Sequence, residues 1–210
     1  KTRFLMEQVV NDMHLNITYY RKGRVKDVEM YQSPFSVEIV KPADTIKSTN
    51  FILKFTKNNK ITLIGDELEK QIRFNQFFEI PTVGLIKVTN NPAVKFFQDN
   101  YAVHITSVDS KVAALREDLT VEVKNKLITI VDLNLQYPIP KKGEDILNRL
   151  IQKYVAANLK DKNEIADSTV KFIQNRLAYI GSELGDLEGN IQGFKQRNSL
   201  ADMSEQAKQL

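Results

Sequence analysis

The chain has 210 residues, 42% hydrophobic and 27% charged, with 30 Lys and Arg against 26 Asp and Glu. That is ordinary globular usage with length enough for a core, so wholly disordered and collagen-like classes are excluded. It contains no Cys, which removes disulfides, thiolate nucleophiles and zinc–cysteine sites together.

Residues 2–13 predict a short helix, because Leu5, Met6, Val9, Val10 and Met13 recur at helical spacing. From His14 to Asn90 the period is two. Leu15, Ile17 and Tyr19 alternate with polar residues, as do Phe35, Val37 and Ile39, then Phe51, Leu53 and Phe55. Asn58-Asn59 predicts a hairpin turn into Ile61–Ile64. Ile72, Phe74, Phe77, Phe78 and Ile80 extend the pattern, and Gly84 leads into Leu85, Ile86 and Val88. Asn91-Pro92 marks a turn or brief helix start, and Tyr101, Val103 and Ile105 form another alternating strand. Val108–Leu119 predicts a helix with Val112, Leu115 and Leu119 on one side. Strands follow at Leu119–Val123 and Leu127–Leu135. The second is apolar on both faces, which places it inside a sheet. Pro138 and Pro140 close it and open a helix running to about Asn198, with a break expected at Asp161-Lys162-Asn163. The fold class is therefore α+β: a mixed sheet body over 1–140 and a long helical region over 141–210. The first part of that region is expected to pack on the body and the rest to extend as a coiled helix.

Charge is uneven. Residues 1–26 carry six Lys and Arg against Glu7 and Asp12, so the remainder is neutral overall. Arg21-Lys22-Gly23-Arg24 fits either a basic end facing headgroups or an acidic polymer, or a solvated hairpin turn. With Lys26 these make four charges around one turn, which is ordinary and favours the turn. The excess is too small and the aromatics too few for a nucleic-acid partner.

The helical region carries the clearest pattern. Ile173, Leu177, Ile180, Leu184, Leu187, Ile191 and Phe194 are spaced 4-3-4-3-4-3, a heptad seam that asks for one or two partner helices. Gly181, Gly185, Gly189 and Gly193 add a glycine every fourth residue. Each costs about 1 kcal/mol relative to alanine in a helix. The four read either as a smooth ridge for a closely approaching backbone or as tolerated drift on an exposed, flexible helix.

Catalytic motifs are missing. No phosphate loop, dinucleotide fingerprint or nucleophile elbow occurs. His14 and His104 are far apart and read as surface or packed residues. Glu183, Asp186 and Glu188 follow an exposed helix face, while Asp66, Glu67 and Glu69 read as turn residues. Ser107 and Asp109 suit helix capping. Asn16-Ile17-Thr18 matches a glycosylation sequon inside a strand. The expectation is no catalytic, cofactor-binding or metal residues and no cofactor.

Asp145-Ile146-Leu147-Asn148-Arg149-Leu150, then Tyr154, then Phe172-Ile173-Gln174-Asn175-Arg176-Leu177 resembles the periplasmic domain of bacterial polysaccharide co-polymerases. These are the Wzz-type chain-length determinants, some linked to a cytoplasmic tyrosine autokinase. Leu119-Thr120-Val121-Glu122-Val123, with the strand to Leu135, is similar to the family's strand before its helices. Tyr19-Tyr20-Arg21-Lys22-Gly23-Arg24 and Ser33-Pro34-Phe35-Ser36-Val37-Glu38 are similar to the kinase-linked branch. The match is good over about residues 101–205 and looser before.

The resemblance implies a part of an inner-membrane protein with a membrane helix before and after this region. It implies a role in the chain length and export of capsule or exopolysaccharide, and a ring of copies. Partners would be the chain itself, the polymerase and export machinery, and the polysaccharide, with no nucleic acid. Lys1 then reads as the start of a segment of a longer protein, and the partner of the seam is expected outside this segment. Whether a kinase is fused stays open. A second reading, a periplasmic adaptor of an envelope secretion system, also mixes β structure with a helical hairpin. It normally brings a lipoyl-like half-motif on each side, and none is found.

Overall fold

The computed structural model describes residues 2–56, 60–65, 68–96, 100–123 and 130–197. The architecture is α+β. It opens with helix α1 (Thr2–Asp12), which buries Leu5, Met6, Val9 and Val10 along one side. The helix ends where its spacing predicts, by a device no motif announced. Leu15 N–H donates to Val10 O at 3.0 Å and His14 N–H to Asn11 O at 3.3 Å, while His14 takes φ 50°. That is the hydrogen-bond pair of a Schellman cap, with histidine in the left-handed position that glycine usually fills.

Strands β1 (Ile17–Arg21), β2 (Val28–Met30), β4 (Thr49–Phe55), β5 (Lys60–Ile64), β6 (Glu69–Arg73) and β9 (Asn100–Ile105) form a six-stranded antiparallel sheet in the order β2-β1-β9-β4-β5-β6. Strands β3 (Phe35–Pro42), β7 (Phe77–Ile80) and β8 (Gly84–Asn90) form a second sheet, β3-β8-β7. The period-two residues of both sheets meet in one core that includes Phe35, Val37, Leu53, Ile61, Ile86, Val88, Tyr101 and Val103. Phe35 packs its ring 5.0 Å from Phe55 and edge-on to Tyr101 at 5.4 Å, geometries that add to simple area burial. The two sheets are also pinned by a polar contact, since Val37 N–H donates to Tyr19 Oη at 2.9 Å. At the free edge, β6 buries Ile72 and exposes Glu69, Lys70, Gln71 and Arg73, charges that discourage edge-to-edge pairing.

Gly84 is required where it stands. Its φ is +109°, and a Cβ there would lie 2.2 Å from Lys41 O. The end of β3 crosses the start of β8 at that point, beside a bulge between Ile39 and Lys41. Helix α2 (Val108–Glu117) is N-capped by Ser107, whose Oγ accepts the Ser110 N–H at 3.1 Å. It buries Val112 and Leu115 and packs against α1. Leu119 belongs to the following strand, not to the helix.

The expected central strand 127–135 is corrected. Its first residues lie outside the described ones, as does the Asn58-Asn59 turn. Ile130 and Val131 are exposed, and the strand begins only at Asp132. β11 (Asp132–Leu135) pairs with β10 (Leu119–Glu122) in a separate two-stranded ribbon, with Leu119 opposite Leu135. Asp132 and Asn134 alternate with Leu133 and Leu135, a half-covered pattern that the apolar run before them obscured.

Helix α3 (Pro140–Arg197) starts with proline at its first position, where the missing N–H costs nothing. The break expected at Asp161–Asn163 does not occur. That stretch holds no glycine or proline, and Lys160 pairs with Glu164 across it at 3.7 Å. By compactness the chain divides within α3, into Lys1–Val155 and Ala156–Leu210. Residue 140 marks the change of secondary structure. The first turns of α3 belong to the compact unit, with Ile146 and Leu150 buried.

Candidate functional site

Two sets of residues stand out, one in each unit. In the second unit, the seam residues Ile173, Leu177, Ile180, Leu184, Leu187, Ile191 and Phe194 are all exposed, by 47–64% of their surface. None of the described residues from Ala156 to Gln196 is buried. A Cβ added at Gly181, Gly185 or Gly189 would meet nothing within 4 Å, so no backbone approaches these three here; Gly193 is half-buried. The helix also carries a second apolar stripe. Ile165, Phe172 and Tyr179, seven residues apart, are exposed by 67%, 70% and 53%. At 100° per residue this stripe lies about 130° around the helix from the seam. Its heptad spacing was visible in the sequence beside the 4-3 seam. Tyr179 Oη donates to Glu183 Oε1 at 2.7 Å, which keeps that carboxylate engaged on an exposed face.

In the first unit, a buried charge cluster joins parts of the chain more than a hundred residues apart. Lys142, on the first turn of α3, donates from Nζ to Glu29 Oε1 at 2.8 Å, with side-chain exposures of 8% and 11%. Tyr137 Oη donates to the same oxygen at 3.2 Å. The Lys111 and Lys142 ammonium groups lie 5.5 and 5.4 Å from the Tyr137 ring centre, both within cation–π range. Burial, then the Glu29 charge, pushes the Tyr137 phenol well above its usual range, so it stays a donor. Burial, then the neighbouring Lys142, pulls the Lys111 ammonium down. Gly143 lets the helix start lie close to Tyr137, since a Cβ there would be 3.1 Å from Tyr137 Cβ. Nearby, Tyr31 Oη donates to Asp145, and Lys141 pairs with the same carboxylate at 3.2 Å. Lys153 pairs with Asp12 of α1 at 2.7 Å, and Arg3 with Asp109 of α2 at 2.8 Å. Together these contacts tie β2, α1 and α2 to their neighbours. They form a structural latch, and no nucleophile stands beside an unengaged base within it.

The sequon does not present a glycan acceptor, because Asn16 and Thr18 are both buried. His14 serves the α1 cap. His104 faces outward from β9, with Nδ1–H donating to Asn50 Oδ1. Asp66 and Glu67 lie outside the described residues, and Glu69 begins β6. Among the described residues, no three His, Asp or Glu side chains gather closely enough to hold a metal ion. No described helix is long and apolar enough to cross a membrane.

No protein-family model matches the chain. It is similar to a Klebsiella pneumoniae protein named "Putative tyrosine-protein kinase in cps region", at 22% identity over 170 residues. The similarity covers 80% of this chain but only 22% of that protein, so the chain spans about a fifth of its relative's length. This is a distant relationship to a capsule-region protein.

Proposed function

We propose that the chain is the non-catalytic assembly part of a polysaccharide co-polymerase, an inner-membrane protein that governs the length and export of capsular polysaccharide. In this reading the α+β body and α3 stand on the periplasmic side, and copies associate with one another and with the polymerase and export machinery. The observation that carries it is the capsule-region similarity, which extends over 80% of this chain. A kinase needs a nucleotide site, and this stretch has no phosphate loop. Our reading therefore assigns the shared portion to assembly. A helix with two exposed apolar stripes supports an assembly role, since burying a leucine contributes about 1.5–3 kcal/mol and an available partner is strongly favoured.

The test uses the full-length parent in its capsulated host. Leu184→Glu with Leu187→Glu should leave the body folded, weaken cross-linking between copies and shift the polysaccharide length distribution on gels. An unchanged distribution with unchanged cross-linking would refute the proposal. Unfolding of the β-rich body instead would show that the seam belongs to its core. Whether a kinase is fused is read from the rest of the parent, as a downstream phosphate loop with a terminal tyrosine cluster.

A further inference from the structure

The outer face of the six-stranded sheet carries a trough. Register places Tyr20 opposite Ala102, Ala102 opposite Ile52, and Ile52 opposite Ile64. Directly opposed residues share a face, so a single alanine sits between a tyrosine ring and two isoleucines. The next row along the strands is polar, with Thr18, His104 and Asn50 side by side. Tyr20, Lys22, Asp27, Asn50, Ala102 and His104 are among the residues that line one concavity. Its floor is apolar and one end is aromatic.

The hydrogen bonding leaves specific groups available. His104 gives its Nδ1–H to Asn50 Oδ1, which leaves His104 Nε2 as an acceptor and the Asn50 amide N–H groups as donors. Burial, then nearby Lys111, lowers the His104 pKa, so the imidazole is neutral at neutral pH. The trough opens toward the β1–β2 turn. Arg21, Lys22, Arg24 and Lys26 stand there, all exposed, around a Val25 that is 100% exposed. Among the described residues, none of these four cations holds an ion pair. Asp27, the acid nearest in sequence, accepts the Gly23 N–H at 3.2 Å and braces the turn.

We infer that this trough binds an acidic glycan segment, a chain of pyranose rings carrying carboxylates. The apolar C–H face of one ring would lie over Ala102 and Ile52 against Tyr20. Ring hydroxyls would meet Asn50 and His104, and a carboxylate would meet Lys22 and Arg24. The cations supply charge complementarity and on-rate, while the concave polar row supplies selectivity. A bilayer surface would use the basic turn but has no use for the hydrogen-bonded Asn50–His104 pair on the sheet face. The inference deepens the proposed function and rests on it for the partner's class.

The probe is short oligogalacturonate, titrated into the isotope-labelled chain at low salt and followed by amide chemical shifts. Shift changes are expected on β1, β9 and β4, and they should weaken as salt rises. A neutral maltooligosaccharide of equal length should bind more weakly. Ala102→Leu fills the trough, and affinity should drop about tenfold, equivalent to ~1.4 kcal/mol. Arg24→Gln with Lys26→Gln, in the exposed turn, should weaken binding without touching the sheet. If Ala102→Leu loses the native spectrum, His104→Ala takes its place with the same expected loss. Absence of shifts overturns the inference. So does glycan binding indifferent to Ala102→Leu or its substitute, and so do phosphatidylglycerol vesicles that bind the turn while the glycan does not. Polymer length in cells is read separately. A parent that still sets length through the α3 seam while the chain binds no glycan refutes this inference alone.

Discussion

Replacing Lys142 with methionine tests the buried latch most directly. The substitution keeps most of the side-chain volume and removes one charge. It leaves Glu29, 11% exposed, with Tyr137 as its remaining close donor. Breaking a buried pair by removing one partner costs about 3–5 kcal/mol, because an uncompensated charge stays out of water. For a chain of this size that corresponds to a fall in melting temperature on the order of 10 °C. The chain has no tryptophan, so near-ultraviolet circular dichroism of its tyrosines is the suitable probe. Combining Lys142→Met with Glu29→Gln removes the stranded charge yet keeps an acceptor for Tyr137. The double variant should recover most of the loss, since replacing a whole buried pair is often near neutral. A single variant within about 1 kcal/mol of the parent, or a double variant as unstable as the single, would refute the latch.

Two further outcomes follow from local geometry. His14→Gly should stabilise the chain by about 1 kcal/mol, because the left-handed conformation at φ 50° is strained for histidine and free for glycine; a melting temperature at or below the parent's contradicts the cap assignment. Burial raises the Tyr19 phenol to about 12, against 10 for the free group. Its contribution is therefore complete below pH 10 and lost as pH rises from 10 to 12. Tyr19→Phe should lower stability at neutral pH, since Val37 N–H loses its acceptor. It should also flatten the decline between pH 10 and 12, and an unchanged alkaline slope in denaturant melts would disprove the assignment.

The alternating residues of β1, β3, β4, β8 and β9 were legible because a half-buried strand imposes period two directly on the sequence. α1, α2 and the start of α3 were legible for the matching reason. What escaped depends on contacts that local pattern does not encode. Glu29 and Lys142 are 113 positions apart, and only the folded chain brings them together. The trough at Ala102 exists because register sets an alanine between Tyr20 and Ile52, and a small residue in a strand carries no such signal alone. The cap at His14 was hidden because the residue that usually marks it is glycine. The strand at 127–135 failed for a physical reason: an apolar run predicts burial only where something covers it. Of the candidate seam and ridge, spacing and exposure were both readable, but the ligand for either was not.

The two units hold their structure by different means. In Lys1–Val155, two sheets bury a common set of apolar side chains, the helix segments bury Val9, Leu115 and Ile146 among others, and helix ends are closed by Ser107 and the His14 cap. Beyond Ala156 the helix has no buried residue among those described, and three glycines with nothing within 4 Å. Those glycines cost about 1 kcal/mol each against alanine. Isolated helices in water are marginal, and protein helices gain most of their stability from tertiary packing of an apolar face. This segment has the faces without the packing. Its local opening therefore costs much less than unfolding of the body. Two stripes about 130° apart cannot both be covered by one straight neighbour. In the proposed assembly, ordering of the segment and its association would be one coupled step, and a bundle of at least three helices would cover both stripes where a simple two-helix pair would leave Ile165, Phe172 and Tyr179 in water.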